Sequence, residues 1–424
     1  MHKAIDWQSK IYINGFAGKK DTINPDWNKL EVAAIQKMSP QAAGYIVGGA
    51  GNQDTVASNR SGFGQWKIVP RMLRNVEQGD TSTELFGQKT PSPFWLCPIG
   101  VLEMVHPEAD LAVARAAAEA GIPYVFSNQA SVPMETCAEA MGQSPRFFQL
   151  YWSKNRDLVA SFVQRAEACG CSGIVLTLDT TLLGWRTMDL ELAYLPFLEG
   201  KGIAQYTSDP VFQKMLDKKL QNPDAGPARP PLSLDLIQGL ISSVNRYPGK
   251  GFLRKLRSGR PMAAVQLFVQ TYSNPAITWE DLAFLREHTK LPIILKGILH
   301  PDDARKALDY GMDGIVVSNH GGRQVDGSIS AIEALPGIVA AVNKQVPVIL
   351  DSGIRGGADV FKALALGADA VGLGRPYVYG LTLGGQQGVY QVLRHLMSDF
   401  ELTMRLAGCR EIGEINRECL APNL

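Results

Sequence analysis

The sequence is poor in the features that mark several functional classes. Its 42 Lys and Arg nearly balance 41 Asp and Glu, for a net charge of +1. No global field therefore draws the chain to nucleic acid or to an anionic membrane. No uninterrupted apolar run approaches the roughly 20 residues of a membrane span, so no membrane partner is expected. The six cysteines, Cys97, Cys137, Cys169, Cys171, Cys409 and Cys419, are scattered, and only Cys169 and Cys171 are close-set. Neither a zinc pattern nor a secreted disulfide framework emerges, which predicts a reducing compartment, a cytoplasmic protein and no metal site. The opening MHKAIDWQSK lacks the apolar stretch of a signal peptide. The closing APNL lacks the basic residue of a peroxisomal address. No Gly-x-Gly-x-x-Gly follows a strand-like run, and no Walker A loop occurs, which counts against a doubly wound nucleotide-binding sheet.

What is present is ordinary globular material, 45% hydrophobic and 20% charged over 424 residues, enough for a large core. One unit recurs. An Ala-rich helical stretch ends at Gly, a short β-branched run follows, and polar residues close it. Examples are ARAAAEAGIPYVFSN, RAEACGCSGIVLTLD, ALDYGMDGIVVSNH and ALALGADAVGLGRP. This is the pattern of a βα repeat with buried parallel strands. Eight strands are predicted, starting near Pro93, Tyr124, Phe147, Gly173, Ile293, Gly314, Val348 and Ala370. Helical spacing falls between them at Leu111–Ala120, Glu135–Met141, Arg156–Cys169, Trp279–Thr289, Asp302–Tyr310, Ala331–Asn343, Asp359–Leu366 and Gly388–Leu406. Alternation of this kind predicts an α/β fold, a (β/α)8 TIM barrel spanning 91–424, preceded by an N-terminal helical segment, 1–90, that packs on it.

The spacing breaks once. About a hundred residues separate the fourth strand from the fifth, far beyond an ordinary connection. The stretch contains KKLQNPDAGPARPPLS and RYPGKGFLRKLRSGR, rich in Pro, Gly and cations. It reads as a long, partly mobile surface loop. Loops leaving the C-terminal ends of barrel strands lie over the active-site mouth, so an insertion at about 187–260 is expected to act as a lid. A merely solvated insertion is the alternative.

Polar groups at strand C-termini should converge on one site. They are Gly100, Ser127, Gln149 with Tyr151, Thr177 with Asp179 and then Arg186, Lys296, Ser318 with His320, Asp351, and Gly374 with Arg375. Charges are costly inside apolar strands unless paired, so their clustering at one end points to a cavity. The loops DSGIRGG and GLGRP, after the seventh and eighth strands, combine small residues with Arg355 and Arg375, where barrels often hold phosphate. A phosphorylated ligand or cofactor follows. In GIVVSNHGGRQVDG, Gly321 and Gly322 permit close approach, Asp179 can orient His320, and the Arg323 fork suits a carboxylate. Together they describe a base beside an anionic substrate. Taken singly, His320 could be a hydrogen-bonded strand end, Arg323 a surface charge and Lys296 half of a structural ion pair. A phosphate-binding lyase or isomerase, or a silent scaffold, would share the barrel.

SNHGGRQVDG and DSGIRGGADVFKALALGADAVGLGRP closely resemble the signature of the FMN-dependent α-hydroxy-acid oxidising family, over about Tyr45 to Cys409. The resemblance implies FMN as cofactor, and a small L-2-hydroxy acid and O2 as the molecules met. It implies that His320 is the base, that Asp179 stabilises it when protonated, and that Arg323 and Arg186 bind the substrate carboxylate. Tyr45 and Tyr151 would touch carboxylate or hydroxyl, and Lys296 would lie by the N1/O2 edge of the flavin. Pro98, Ile99, Gly100, Ser127, Gln149, Thr177 and Ser318 would contact the isoalloxazine and ribityl parts. Asp351, Ser352, Gly353 and Arg355, with Gly374 and Arg375, would hold ribityl and phosphate. By analogy with the family a homo-oligomer, tetramer or octamer, is expected.

LDTTLLGWR, DPVFQK and KGILHPDDARKALDYGMDGI resemble the lactate monooxygenase branch of that family. There pyruvate is implied to linger while oxygen reacts, and is decarboxylated to acetate and CO2. PIGV places Gly100 where many family oxidases carry Ala, which suggests extra room beside the flavin. The alternative within the same chemistry is an oxidase releasing keto acid and H2O2. Gln129 stands where many relatives carry an aromatic or aliphatic residue near the substrate side chain.

Overall fold

A computed structural model describes residues 4–221 and 233–423. Eight parallel strands close into a barrel in chain order. They are β1 (Phe94–Leu96), β2 (Tyr124–Phe126), β3 (Arg146–Leu150), β4 (Ile174–Thr177), β5 (Ile293–Ile298), β6 (Gly314–Val317), β7 (Val348–Leu350) and β8 (Ala370–Leu373). Pairing of Val371 with Phe94 and Leu373 with Leu96 brings β8 back against β1. The helices that follow the strands are α1 (Ala109–Ala120), α2 (Met134–Met141), α3 (Arg156–Ala168), α4 (Leu282–His288), α5 (Pro301–Asp309), α6 (Ala331–Val342), α7 (Gly357–Ala365) and α8 (Arg375–Leu406). Among the described residues no helix is long and apolar enough to cross a membrane.

Alternation along each strand builds the interior in layers, because side chains two apart share a face. One residue per strand forms the apolar layer: Trp95, Val125, Phe147, Val175, Ile294, Val316, Ile349 and Ala370. Trp95 and Phe147 stack there with ring centroids 4.1 Å apart. Phe86, at the tip of the hairpin Thr83–Leu85 and Gln88–Thr90, closes the layer edge-on against both rings. Two residues further along the same strands stand Cys97, Ser127, Gln149, Thr177, Lys296, Ser318, Asp351 and Gly372. The barrel interior thus changes from apolar to polar within one strand repeat.

Three expectations are corrected. The last helix begins at Arg375, not Gly388, and breaks at Gly384 and Gly385. A Cβ on Gly380 or on Gly388 would strike the carbonyl oxygen of the other, so these two glycines allow close backbone packing. The expected helix at Trp279–Thr289 is a 3-10 turn, Trp279–Asp281, running into α4. The insertion is largely helical rather than a loop: Thr187–Glu191, Ala204–Thr207, Pro210–Gln221, Leu234–Arg246, Phe252–Arg257 and Arg260–Thr271. It carries its own buried aromatic cluster. The Tyr206 ring lies 4.8 Å from Phe268, 5.6 Å from Phe212 and 5.0 Å from Phe162 of α3. A buried ion pair, Arg165 with Asp209 at 3.0 Å, ties the insertion to the same helix. The Pro-rich part of KKLQNPDAGPARPPLS, 222–232, lies outside the described residues.

Residues 4–90 hold helices Ala4–Phe16, Trp27–Lys37, Pro40–Val47 and Asp54–Ser61. They also hold the hairpin that plugs the barrel and a strand, Trp66–Ile68, paired with Leu420–Pro422 near the C-terminus.

Candidate active site

The polar layer is a hydrogen-bonded floor. Ser127 Oγ donates to Gln149 Oε1 at 3.2 Å, and Gln149 Nε2 donates to Thr177 Oγ1 at 3.1 Å. Lys296 Nζ donates to Ser318 Oγ at 2.7 Å and pairs with Asp351 at 3.1 Å. Burial alone would lower the Lys296 ammonium, but Asp351 and Asp179 outweigh it and hold it above its ordinary value. Above this floor lies a cavity of about 390 Å³. Tyr45, Pro98, Ile99, Gly100, Tyr151, Arg186, Lys296, His320, Arg323, Asp351, Ser352, Gly353, Arg355, Gly374 and Arg375 all border it. Ser127, Gln149, Thr177 and Ser318 lie in the floor, and Asp179 stands one contact behind His320.

The turn after β6 explains the presentation of His320. Residues 320, 321 and 322 all have positive φ, at 58°, 66° and 78°. A Cβ on Gly322 would come within 2.7 Å of the Val56 nitrogen, so that position requires glycine. For His320 the conformation is strained and is held by its surroundings. Its N–H donates to Ser318 Oγ at 3.1 Å. Beneath the turn the amides of Asn319 and Asn59 pair reciprocally, both at 2.8 Å.

His320 Nδ1 lies within hydrogen-bond distance of Asp179 Oδ1 and, at 3.1 Å, of Thr180 Oγ1. Burial pulls His320 below its ordinary pKa, helped by Lys296 and Arg186 and opposed by Asp179. Burial works to raise the Asp179 carboxyl, but His320, Lys296 and its hydrogen bonds together hold it low. At neutral pH the pair is therefore a neutral imidazole beside a carboxylate. Asp179 can only accept, so Nδ1 carries the proton and Nε2 keeps its lone pair.

Two guanidinium groups face the same space. Arg186 Nη2 donates to Gln324 Oε1 at 3.0 Å, and Gln324 Nε2 donates to the carbonyls of Asp179 and Leu182. Arg323 donates to Gly48 O at 2.6 Å and lies over the Tyr45 ring at 5.1 Å. Arg375 donates to the carbonyls of Ile46 and Val47, so both cations meet the negative end of the Pro40–Val47 helix. Burial, and then Asp179, pushes the Tyr151 hydroxyl up to about 12.

The donor set fits an anionic cofactor. Among the described residues the walls carry five cations, Arg186, Lys296, Arg323, Arg355 and Arg375, against one carboxylate, Asp351. Burial, and then Arg186, brings Arg323 down to about 9; burial, with Arg355 adding to it, brings Arg375 to about 10. Buried Arg355 Nε has no hydrogen-bond partner, with Glu31 3.7 Å away. Helix α8 starts at Arg375 with no side-chain cap, leaving its first N–H groups for a ligand. A phosphate and a carboxylate would supply the missing negative charge.

The strand ends did not reveal the roof. Leu195, Phe197, Phe268, Val269 and Tyr272 of the insertion border the cavity, as do Leu183 and Thr180. Only Thr180, beside Asp179, carried a sequence signal. Gln324, inside the SNHGGRQVDG motif but given no role there, and Asn59 brace the site from outside it.

A family description, FMN-dependent dehydrogenase, matches residues 34–422. An FMN-dependent alpha-hydroxy acid dehydrogenase of Schizosaccharomyces pombe is 39% identical, with 98% of this chain and 96% of that protein covered. An L-lactate oxidase of Lysinibacillus sphaericus is 41% identical, over 93% and 92%. The crystal structure of mandelate oxidase with (S)-4-hydroxymandelic acid superposes with a TM-score of 0.76 at 35% identity, covering 94% of this chain and 98% of that one. The cation-rich barrel mouth, the His320–Asp179 pair and these relationships agree: the chain belongs to the FMN-dependent α-hydroxy-acid oxidase and dehydrogenase family, and FMN is its cofactor.

Proposed function

We propose that the protein oxidises an L-2-hydroxy acid to the 2-keto acid, and that it is an L-lactate 2-monooxygenase, converting lactate and O2 to acetate, CO2 and water. The observation that carries the oxidation is that His320, backed by Asp179, borders the same cavity as Arg186 and Arg323. Arg186 and Arg323 bind the substrate carboxylate, and Tyr45 and Tyr151 hydrogen-bond carboxylate or hydroxyl. His320 Nε2 takes a proton from the substrate, and the imidazolium formed is held by Asp179. FMN, when bound, would supply a two-electron acceptor that can pass electrons on to oxygen. Pro98 to Gly100 and the floor residues Ser127, Gln149, Thr177 and Ser318 would support its ring system, with Lys296 supplying a fixed positive charge. Asp351 to Arg355, Gly374 and Arg375 would hold the ribityl chain and phosphate.

The monooxygenase outcome rests on retention. Leu195, Phe197, Phe268 and Tyr272 roof the cavity from the insertion, which acts as a lid that slows release of the keto acid. A second reading, an oxidase releasing pyruvate and H2O2, is favoured by Gly100. A Cβ built there lies 3.0 Å from Gln129 Cβ and 3.0 Å from Gln129 O, so Gly100 does not open vacant space. Turnover of L-lactate in air separates the readings. Acetate and CO2 with little free peroxide support the first; stoichiometric pyruvate and H2O2 establish the second. The proposal places the enzyme in the cytoplasm as a homo-oligomer, which fractionation and light scattering would check.

A further inference from the structure

Beyond α8 the chain passes through two 3-10 turns, Ile412–Glu414 and Arg417–Cys419, into the C-terminal strand Leu420–Pro422. Cys409 precedes the first turn and Cys419 ends the second. Their sulfur atoms lie 3.9 Å apart. Both also reach the same acceptor, the Glu414 carbonyl oxygen, at 3.7 and 3.8 Å. Among the described residues no other two sulfurs hydrogen-bond.

The backbone on either side of the pair is held. Cys409 N–H donates to Met404 O at 3.0 Å, and Val69 N–H donates to Cys419 O at 2.9 Å. The Arg417 guanidinium stacks on Trp66, 4.0 Å from the ring centroid. Two thiols 3.9 Å apart on held backbones are placed to meet, and bonding requires their sulfurs to close to about 2 Å. Their exposures differ: Cys409 is buried and Cys419 partly open. Neither borders the cavity.

We propose that Cys409 and Cys419 form a reversible, peroxide-responsive dithiol–disulfide pair that staples the C-terminal strand to the end of α8. Hydrogen peroxide is the oxidant, and Cys419, the more open thiol, meets it. A bond forms between its sulfur and one peroxide oxygen, the O–O bond breaks, and the departing hydroxide leaves as water with the thiol proton. The Cys409 sulfur then attacks the sulfenic sulfur. The S–S bond forms, the S–O bond breaks, and a second water carries off the hydroxyl and the Cys409 proton. Two thiols lose two electrons and one peroxide becomes two waters. In a reducing compartment such a bond is transient and sensing rather than permanent. Burial, and then Cys419, raises the Cys409 thiol, so Cys409 is not the sulfur that first meets peroxide.

The test uses the full-length, FMN-loaded protein. It is treated with stoichiometric H2O2, alkylated and mapped by mass spectrometry. The expected result is a cross-linked peptide pair containing Cys409 and Cys419, lighter by two hydrogens and released by dithiothreitol. The melting temperature should rise by about 2–4 °C on oxidation and return on reduction. Cys419→Ser should keep basal activity while losing both the cross-link and the shift; Cys409→Ser should leave Cys419 oxidising onward to sulfinic acid. Peroxide that drives wild-type Cys419 to sulfinic acid without a cross-link, or that spares both thiols while oxidising Cys169, overturns the proposal. A cross-link with no thermal shift overturns the staple.

Discussion

The Nδ1 atom of His320 lies 2.8 Å from the Asp179 carboxylate, although 141 residues separate the two in the chain. The contact exists because both follow barrel strands on one side of the barrel, β4 and β6. It sets the tautomer and therefore the direction in which the free Nε2 lone pair points, the atom proposed as the base. His320→Gln keeps the size of the side chain and removes the base. FMN should stay bound while its bleaching by substrate slows by about 10²–10⁴-fold. Rapid mixing under anaerobic conditions measures this, and an unchanged rate rules His320 out as the base.

The acid limb of that reaction follows His320. Burial sets its pKa below the ordinary 6.5, so the base is lost only as pH falls beneath that value. Asp179 is the group that raises it. In Asp179→Asn the limb should therefore move to still lower pH, while the plateau rate drops because Nδ1–H loses its fixed acceptor. A limb that moved upward would show that Asp179 is not the charge partner.

Arg355 brings to the cavity wall a buried nitrogen without a hydrogen-bond partner, where the proposed function puts the FMN phosphate. Arg355→Met should weaken FMN binding by about 10- to 100-fold, the worth of one charge-assisted hydrogen bond. Titration of apoprotein with FMN, followed by flavin fluorescence, gives the number. The far-ultraviolet spectrum should not change.

Phe212 is fully buried in the insertion, against the Tyr206 ring that in turn meets Phe268. Phe212→Ala should cost about 3–5 kcal/mol of local stability. Hydrogen exchange should quicken through Pro210–Gln221 and Arg260–Thr271 and leave β1 to β8 protected. Uniform loosening of the barrel would mean that the insertion does not form a unit of its own.

Gly100→Ala adds a methyl group against Gln129. The expected cost is about 1–3 kcal/mol from overpacking, read as a lower melting temperature. In the same variant the ratio of free H2O2 to acetate reports whether this position governs the fate of oxygen. An unchanged ratio removes Gly100 from that role.

The barrel was legible because its signals are local. GIVV, PIILKG and PVILD each show a β-branched run whose polarity changes two residues on, and one strand repeat carries both the apolar layer and the floor. Hence Ser318, Lys296 and Asp351 were assigned from the strand ends, and the structure sets them two residues beyond Val316, Ile294 and Ile349 of the apolar layer. The start of α8 was not legible, because GLTLGGQQG resembles a turn and only the contact between Gly380 and Gly388 explains those two glycines.

The sequence by itself determined the eight strands, their parallel closure and the polar tips, since each depends on side-chain alternation and helix ends within a few residues. Only the tertiary structure decided the surroundings of those tips. Tyr45 and Ile46 arrive from a helix ahead of the barrel, and the carbonyls at its end take Arg323 and Arg375. Phe197, Phe268 and Tyr272 arrive from an insertion whose helices are held by packing on α3. Such contacts join segments distant in sequence, and their energy comes from burial that no local pattern records.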